Sequence, residues 1–129
     1  MVLDTSALLA VLFDEPDAEP FRVAIELDQT RLVSAATLLE TAIVAEARKG
    51  DAGGRELELL VHKAAITTVP VDSDQVTAAR RAWRRFGKGR HEANLNYGDL
   101  FAYALSRTTG EPLLFKGSDF VKTDVARVL

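Results

Sequence analysis

Residues 1–13 read MVLDTSALLAVLF. Met1 to Leu3 is a short apolar run of the kind that forms a buried strand, and Asp4-Thr5-Ser6 is a helix-start signature before Ala7 to Phe13. The same order, apolar run and then helix, returns along the chain. Pro16 and Pro20 bracket the start of a second helix that runs to about Asp28. Arg31 to Ala35 reads as a strand, Thr37 to Lys49 as a long helix ended by Gly50, and Gly53-Gly54 as a break before a helix from about Arg55 to Ile66. Thr68 to Val71 is a third strand and Ser73 to Phe86 the next helix. A glycine- and asparagine-rich loop covers Gly87 to Gly98, and a helix spans Tyr97 to Thr108, stopped by Gly110. Pro112 to Phe115 is a fourth strand, with Asp124 to Leu129 as a marginal fifth. Alternating strands and helices imply a mostly parallel sheet covered on both faces, an α/β chain of one domain over residues 1–129.

Composition narrows the chemistry. At 47% hydrophobic and 27% charged residues the chain suits a soluble globular protein. It contains no cysteine, which excludes disulfides, thiolate metal sites and a cysteine nucleophile, and its two histidines are too few for a typical structural zinc site. The apolar N-terminus lacks a basic leader and is interrupted early by acids, so neither a signal peptide nor a membrane span is expected and a cytoplasmic location is the default. A net charge of −3 argues against indiscriminate nucleic-acid binding.

Four acids stand out: Asp4, Glu40, Asp99 and Asp119 each follow an apolar run or open a helix. Each has an ordinary structural reading. Asp4 can cap its helix, Glu40 fits a capping box begun by Thr37, Asp99 fits one begun by Asn96, and Asp119 can be a turn residue after Lys116-Gly117-Ser118. Taken together they point elsewhere. In a parallel sheet helices start at the carboxyl edge of the strands, so even the capping readings place these side chains by one crevice. Glu40 lies in the largely apolar segment Leu38 to Val44, and no Lys or Arg is adjacent to it or to Asp4 in sequence. Clustered carboxylates without a cationic partner call for a hard divalent cation, Mg²⁺ or Mn²⁺ rather than Zn²⁺. Such a cation generates a nucleophile from water at neutral pH and stabilises charge on a phosphoryl oxygen.

A second feature is basic. Between Gln75 and His91 no acid occurs, while Arg80, Arg81, Arg84, Arg85, Lys88 and Arg90 all do. Arg80 with Arg84, and Arg81 with Arg85, repel at helical i,i+4 spacing, which suggests an anionic partner rather than a merely solvated face. Val76, Ala79, Trp83 and Phe86 share the other face and read as core. The expected RNA-contacting residues are Arg80, Arg84, Arg85, Lys88, Arg90 and His91, with the loop from Gly87 to Asn96 opposite the helix.

The segments MVLDTSALLAVL, TLLETAIVAEAR, FGKGRHEANLNYGDLFAYAL and PLLFKGSDFVKTDV occur in order over nearly the whole chain, and together they resemble the PIN-domain ribonucleases of the VapC type. That resemblance implies a three-layer α/β/α sandwich with four or five strands and a homodimer. It also implies a toxin that cleaves structured RNA, tRNA or rRNA, with Mg²⁺, and a small antitoxin that blocks the acidic pocket. It carries over Asp4, Glu40, Asp99 and Asp119 as the catalytic set, Asp4 and Asp99 as principal metal ligands, and Thr5, Ser6 and Asp124 as lesser members. The family pattern often has Pro where Glu92 stands and Cys where Leu100 stands, and Glu92 bears on substrate choice. A receiver-type phosphate acceptor is disfavoured because the second strand ends at Ser34-Ala35 rather than at an Asp; a PIN-like binding module without catalysis is disfavoured because the acids are intact.

Overall fold

A computed structural model describes residues 1–129. Four short parallel strands, β1 (Val2–Leu3), β2 (Leu32–Ser34), β3 (Thr67–Val69) and β4 (Leu113–Leu114), lie in the order β3-β2-β1-β4. Five helices connect them: α1 (Thr5–Leu12), α2 (Ala18–Leu27), α3 (Ala35–Lys63), α4 (Ser73–Phe86) and α5 (Tyr97–Thr109). Helices α1, α2 and α3 pack together, and α4 packs on α5. β1 and β4 are fully buried and β2 nearly so, whereas the edge strand β3 is largely exposed, and alternation along the central strands decides which core each residue joins. Val2 and Leu113 point into one core with Phe86, Leu95, Tyr103 and Phe120. Met1, Leu3 and Leu114 point into the other with Leu8, Phe21 and Val33. This is the expected α/β/α sandwich.

Local differences from the sequence reading have physical causes. The C-terminal segment forms one isolated bridge, Leu113 to Arg127, and no fifth strand. The two helices read on either side of Gly50 are two limbs of α3, which begins at Ala35 because Ser34 caps it, its Oγ accepting from the Ala36 N–H at 3.3 Å. Gly50, at φ 61 and ψ −151, supplies the kink between the limbs. The Gly53-Gly54 pair does not break the helix. A Cβ at Gly53 would stand 2.2 Å from the Ala45 carbonyl oxygen, so the glycine is there to let the limbs pass closely. On α4 the inward face is Gln75, Ala82 and Phe86, not the face through Val76 and Trp83. Trp83 is 41% exposed, with the Arg90 guanidinium 4.0 Å above its ring. Gln75 occupies the interior there; its side-chain NH₂ donates to the Pro70 carbonyl at 2.9 Å, while its Oε1 has no partner.

Candidate active site

Chain direction places the acids. β1 ends at Leu3, and Asp4 follows it as the N-cap of α1: its Oδ2 accepts from the Ser6 N–H at 3.1 Å and from the Ser6 hydroxyl at 2.6 Å. The Ser6 oxygen in turn accepts from the Lys116 N–H at 2.9 Å, just beyond β4, so two parallel strands jointly hold this carboxylate. Asp99 lies in the first turn of α5 in a true capping box. Asn96 accepts from the Asp99 N–H at 3.0 Å, and Asp99 Oδ2 accepts from the Asn96 N–H at 2.9 Å. The capping reading of Asp99 is therefore correct, and it leaves the second carboxylate oxygen uncommitted.

Glu40 is not a capping-box residue, since Ser34 rather than Thr37 caps α3. It sits in the second turn of α3, where Thr5 donates to its Oε1 at 2.5 Å and Thr41 donates to the Thr5 hydroxyl at 3.2 Å. Asp119 lies on the exposed segment after β4. It and the other three acids are electrostatically one group, because Asp99 feels the charges of Asp4, Asp119 and Glu40.

Burial is the dominant influence on the two innermost acids. Asp4 is 6% and Asp99 9% exposed. Desolvation, reinforced by the neighbouring carboxylates, pushes Asp99 up to about 7 against the pull of the Asn96 N–H. Burial likewise raises Asp4, with Glu40 adding to the shift and the two Ser6 hydrogen bonds opposing it. All ten ion pairs of the protein lie elsewhere, so no Lys, Arg or ammonium relieves Asp4, Glu40, Asp99 or Asp119.

Gly98 is the member of this site that sequence reasoning passed over as a loop glycine. A Cβ there would lie 2.1 Å from Glu40 Oε2, so α5 can bring Asp99 beside Glu40 only because residue 98 has no side chain. A glycine in a first helical turn, directly before an acid, was the available signal.

The remaining candidates separate from the acids. Asp124 stands apart with other partners: Tyr103 donates its hydroxyl to Oδ1, Arg85 lies 3.1 Å and Arg107 3.9 Å from Oδ2. Partial burial alone would raise Asp124, but the Tyr103 hydroxyl and the Arg107 and Arg85 guanidiniums hold it below the usual carboxylate range. The basic stripe is divided: Arg81 and Arg85 line one side of α4 and Arg80 the other. Arg84 and Lys88 are exposed, and neither makes an ion pair. His91 packs edge-on to Phe86 at 5.2 Å and accepts the Ala93 N–H on Nδ1 at 3.0 Å, contacts that shape its loop. In the same loop Glu92 pairs with Lys122 at 3.2 Å. No helix is long and apolar enough to cross a membrane.

Comparison with known proteins gives the family and the fold. The PIN domain family matches residues 1–126. Ribonuclease VapC30 of Mycobacterium tuberculosis is 60% identical over 128 residues, covering 99% of this chain and 98% of the relative. Ribonuclease VapC of Mycolicibacterium smegmatis is 59% identical over 128 residues, 99% of each chain. Ribonuclease VapC28 of M. tuberculosis is 42% identical over 130 residues, 100% of this chain and 98% of the relative. The crystal structure of M. tuberculosis VapC20, a sarcin-ricin loop cleaving toxin, superposes with a TM-score of 0.77 over 97% of this chain and 95% of its own, at 16% identity, a likeness of fold. The chain is a PIN domain and belongs to the VapC ribonuclease family.

Proposed function

We propose that the protein is a toxin endoribonuclease that hydrolyses phosphodiester bonds in structured RNA, tRNA or rRNA, at the Asp4–Glu40–Asp99–Asp119 pocket with Mg²⁺, and that Mn²⁺ substitutes. The observation that carries this reading is the unrelieved charge: two nearly buried carboxylates among four acids, with no cation beside them. The 60% identity to a named ribonuclease over nearly the whole chain supports RNA as the substrate.

The donor set fits a hard divalent cation, being all carboxylate oxygen, and Gly98 lets α5 pack close against Glu40. No three acidic side chains converge on one coordination point, so the ion would be held by one or two carboxylates with water filling the rest. Asp4 and Asp99 would hold the ion, with Glu40 and Asp119 completing the pocket directly or through water. Bound there, it would activate water and offset charge on the phosphoryl oxygens. The chain itself does the positioning. Ser6 fixes Asp4, Thr5 fixes Glu40, and the Asn96 N–H fixes one oxygen of Asp99 while leaving the other free.

The partners follow from the surface and the family. Leu39 and Ile43 of α3 and Tyr97 of α5, 78% exposed, form an apolar border to the pocket. We assign that surface to protein contact, a second copy of the chain in the free toxin and a small antitoxin in the inhibited complex. Scattering that shows a monomer at tens of micromolar would remove the dimer.

Millimolar Mg²⁺ or Mn²⁺ is expected to raise the melting temperature, since a ligand bound only by the folded state stabilises it. Asp4→Asn should lose that gain, and chelation should stop RNA cleavage. Cleavage that persists in excess chelator, with a melt indifferent to Mg²⁺, would overturn the metal-dependent reading.

A further inference from the structure

Away from the acidic pocket, α4 and α5 enclose a polar cleft of about 450 Å³. Arg81 and Arg85 line one wall, Arg107 the other, and Tyr103 and Asp124 sit between them. Arg85 and Arg107 share Asp124 as their acceptor, whereas Arg81 has no ion-pair partner. With Asp74 on the rim counted, the lining carries three positive and two negative charges. The two threonines add no donors, because Thr77 already donates to the Ser73 carbonyl and Thr108 to that of Ala104. Binding here would be guanidinium chemistry, which suits the fork geometry of phosphate oxygens.

Position gives the cleft its meaning. Tyr103 follows Asp99 by four residues and Arg107 by eight, so along the axis of α5 they lie about 6 and 12 Å from the catalytic acid. That is within the reach of one short segment of RNA backbone. Tyr103, Arg85 and Arg107 hold Asp124 between them, and both guanidiniums remain half-exposed.

We propose that this cleft is a phosphate subsite for the RNA backbone: Arg81, Arg85 and Arg107 grip a phosphodiester remote from the scissile bond, and Asp124 is a built-in counter-ion that the phosphate displaces. This builds on the ribonuclease reading. It makes Asp124 a competitor of the substrate rather than an accessory of the acidic pocket, and the two roles predict opposite signs.

The experiment measures affinity and salt dependence for a labelled, mixed-sequence RNA hairpin, using full-length protein carrying Asp99→Asn to prevent cleavage. Adding Arg81→Gln and Arg107→Gln should weaken binding about tenfold or more. The slope of log affinity against log salt should fall by about 0.7–0.9 for each phosphate no longer neutralised. Asp124→Asn, which keeps an acceptor for Tyr103, should tighten binding several-fold. An unchanged dissociation constant and slope in the double arginine variant, or weaker binding in Asp124→Asn, overturns the proposal. A parallel arm adds adenosine monophosphate or inorganic phosphate. An Arg81-dependent rise in melting temperature with unchanged hairpin binding would make the cleft a free-anion site and overturn its backbone role. Failure of the ribonuclease reading looks different: the wild type cleaves no RNA while the arginines still set hairpin affinity.

Discussion

Asp99 and Asp124 are both carboxylates on the α4/α5 side of the sheet, and they are in opposite electrostatic states. Asp99 is nearly buried, accepts a hydrogen bond only from the Asn96 N–H, has carboxylates as its charged neighbours, and is pushed up to about 7. Asp124 is partly open, holds a tyrosine hydroxyl and two guanidiniums, and lies below the usual range. The difference lies in the counter-charge. Where the chain supplies its own cations, the carboxylate is already satisfied and serves structure or competes with an anion. Where it supplies none, the strain of burying charge is left for a bound cation to relieve. The lesson is that an acid is read by its missing partners as much as by its present ones.

The harshest test of the contrast is activity. Asp4→Ala, Glu40→Gln and Asp99→Asn should each nearly eliminate RNA cleavage and growth arrest while the protein remains folded. Because these groups act as a unit, double variants should be little worse than single ones. Asp119→Asn should be milder, in keeping with its exposed position after β4. A folded Asp99→Asn protein that cleaves at the wild-type rate would erase the distinction between the two regions.

Gly98→Ala should have the next largest effect. Alanine normally favours a helix over glycine by up to about 1 kcal/mol. Here its Cβ would lie 2.1 Å from Glu40 Oε2, so the carboxylate must move. The expected result is a fall in cleavage of about tenfold or more with a melting temperature close to wild type. Full activity in that variant would show that the Glu40 position carries no weight in the pocket.

How much of this was legible in the sequence depends on how far apart the interacting residues lie. The strand–acid–helix order placed Asp4 at the end of β1, and Asn96 with Asp99 marked a capping box that the structure contains. These are signals spanning a few residues. The pairing of Asp124 with Arg85 joins positions 39 residues apart, and no local pattern encodes it. On α4 hydrophobicity points to Val76 and Trp83 as the inner face; tertiary contacts instead bury Gln75, whose amide NH₂ reaches the Pro70 carbonyl. Gly53 reads locally as a helix breaker, and only the return of one limb of α3 past Ala45 reveals it as a close-contact residue.

The finest discrimination comes from stability against pH without metal. Asp99 has its folded value raised from 3.8 to about 7, so between these values the folded state binds more protons than the unfolded state. Its contribution is therefore fully present below about pH 4 and is lost as pH rises to about 7, by at most about 4 kcal/mol. Asp124 is lowered, so its contribution is present above its unfolded value and is lost only as pH falls below about 4. Melting curves should thus separate the two acids. Asp99→Asn should flatten the profile between pH 4 and 7 and raise apo stability at neutral pH, whereas Asp124→Asn should lower stability above about pH 4 and change the slope only at the acid end. Adding Mg²⁺ to the wild type should also flatten the neutral range, because a cation favours the ionised pocket. Identical profiles for wild type and Asp99→Asn would mean that Asp99 ionises in the folded protein as easily as in the unfolded chain, and Asp99 would then add no charge strain for a metal to relieve.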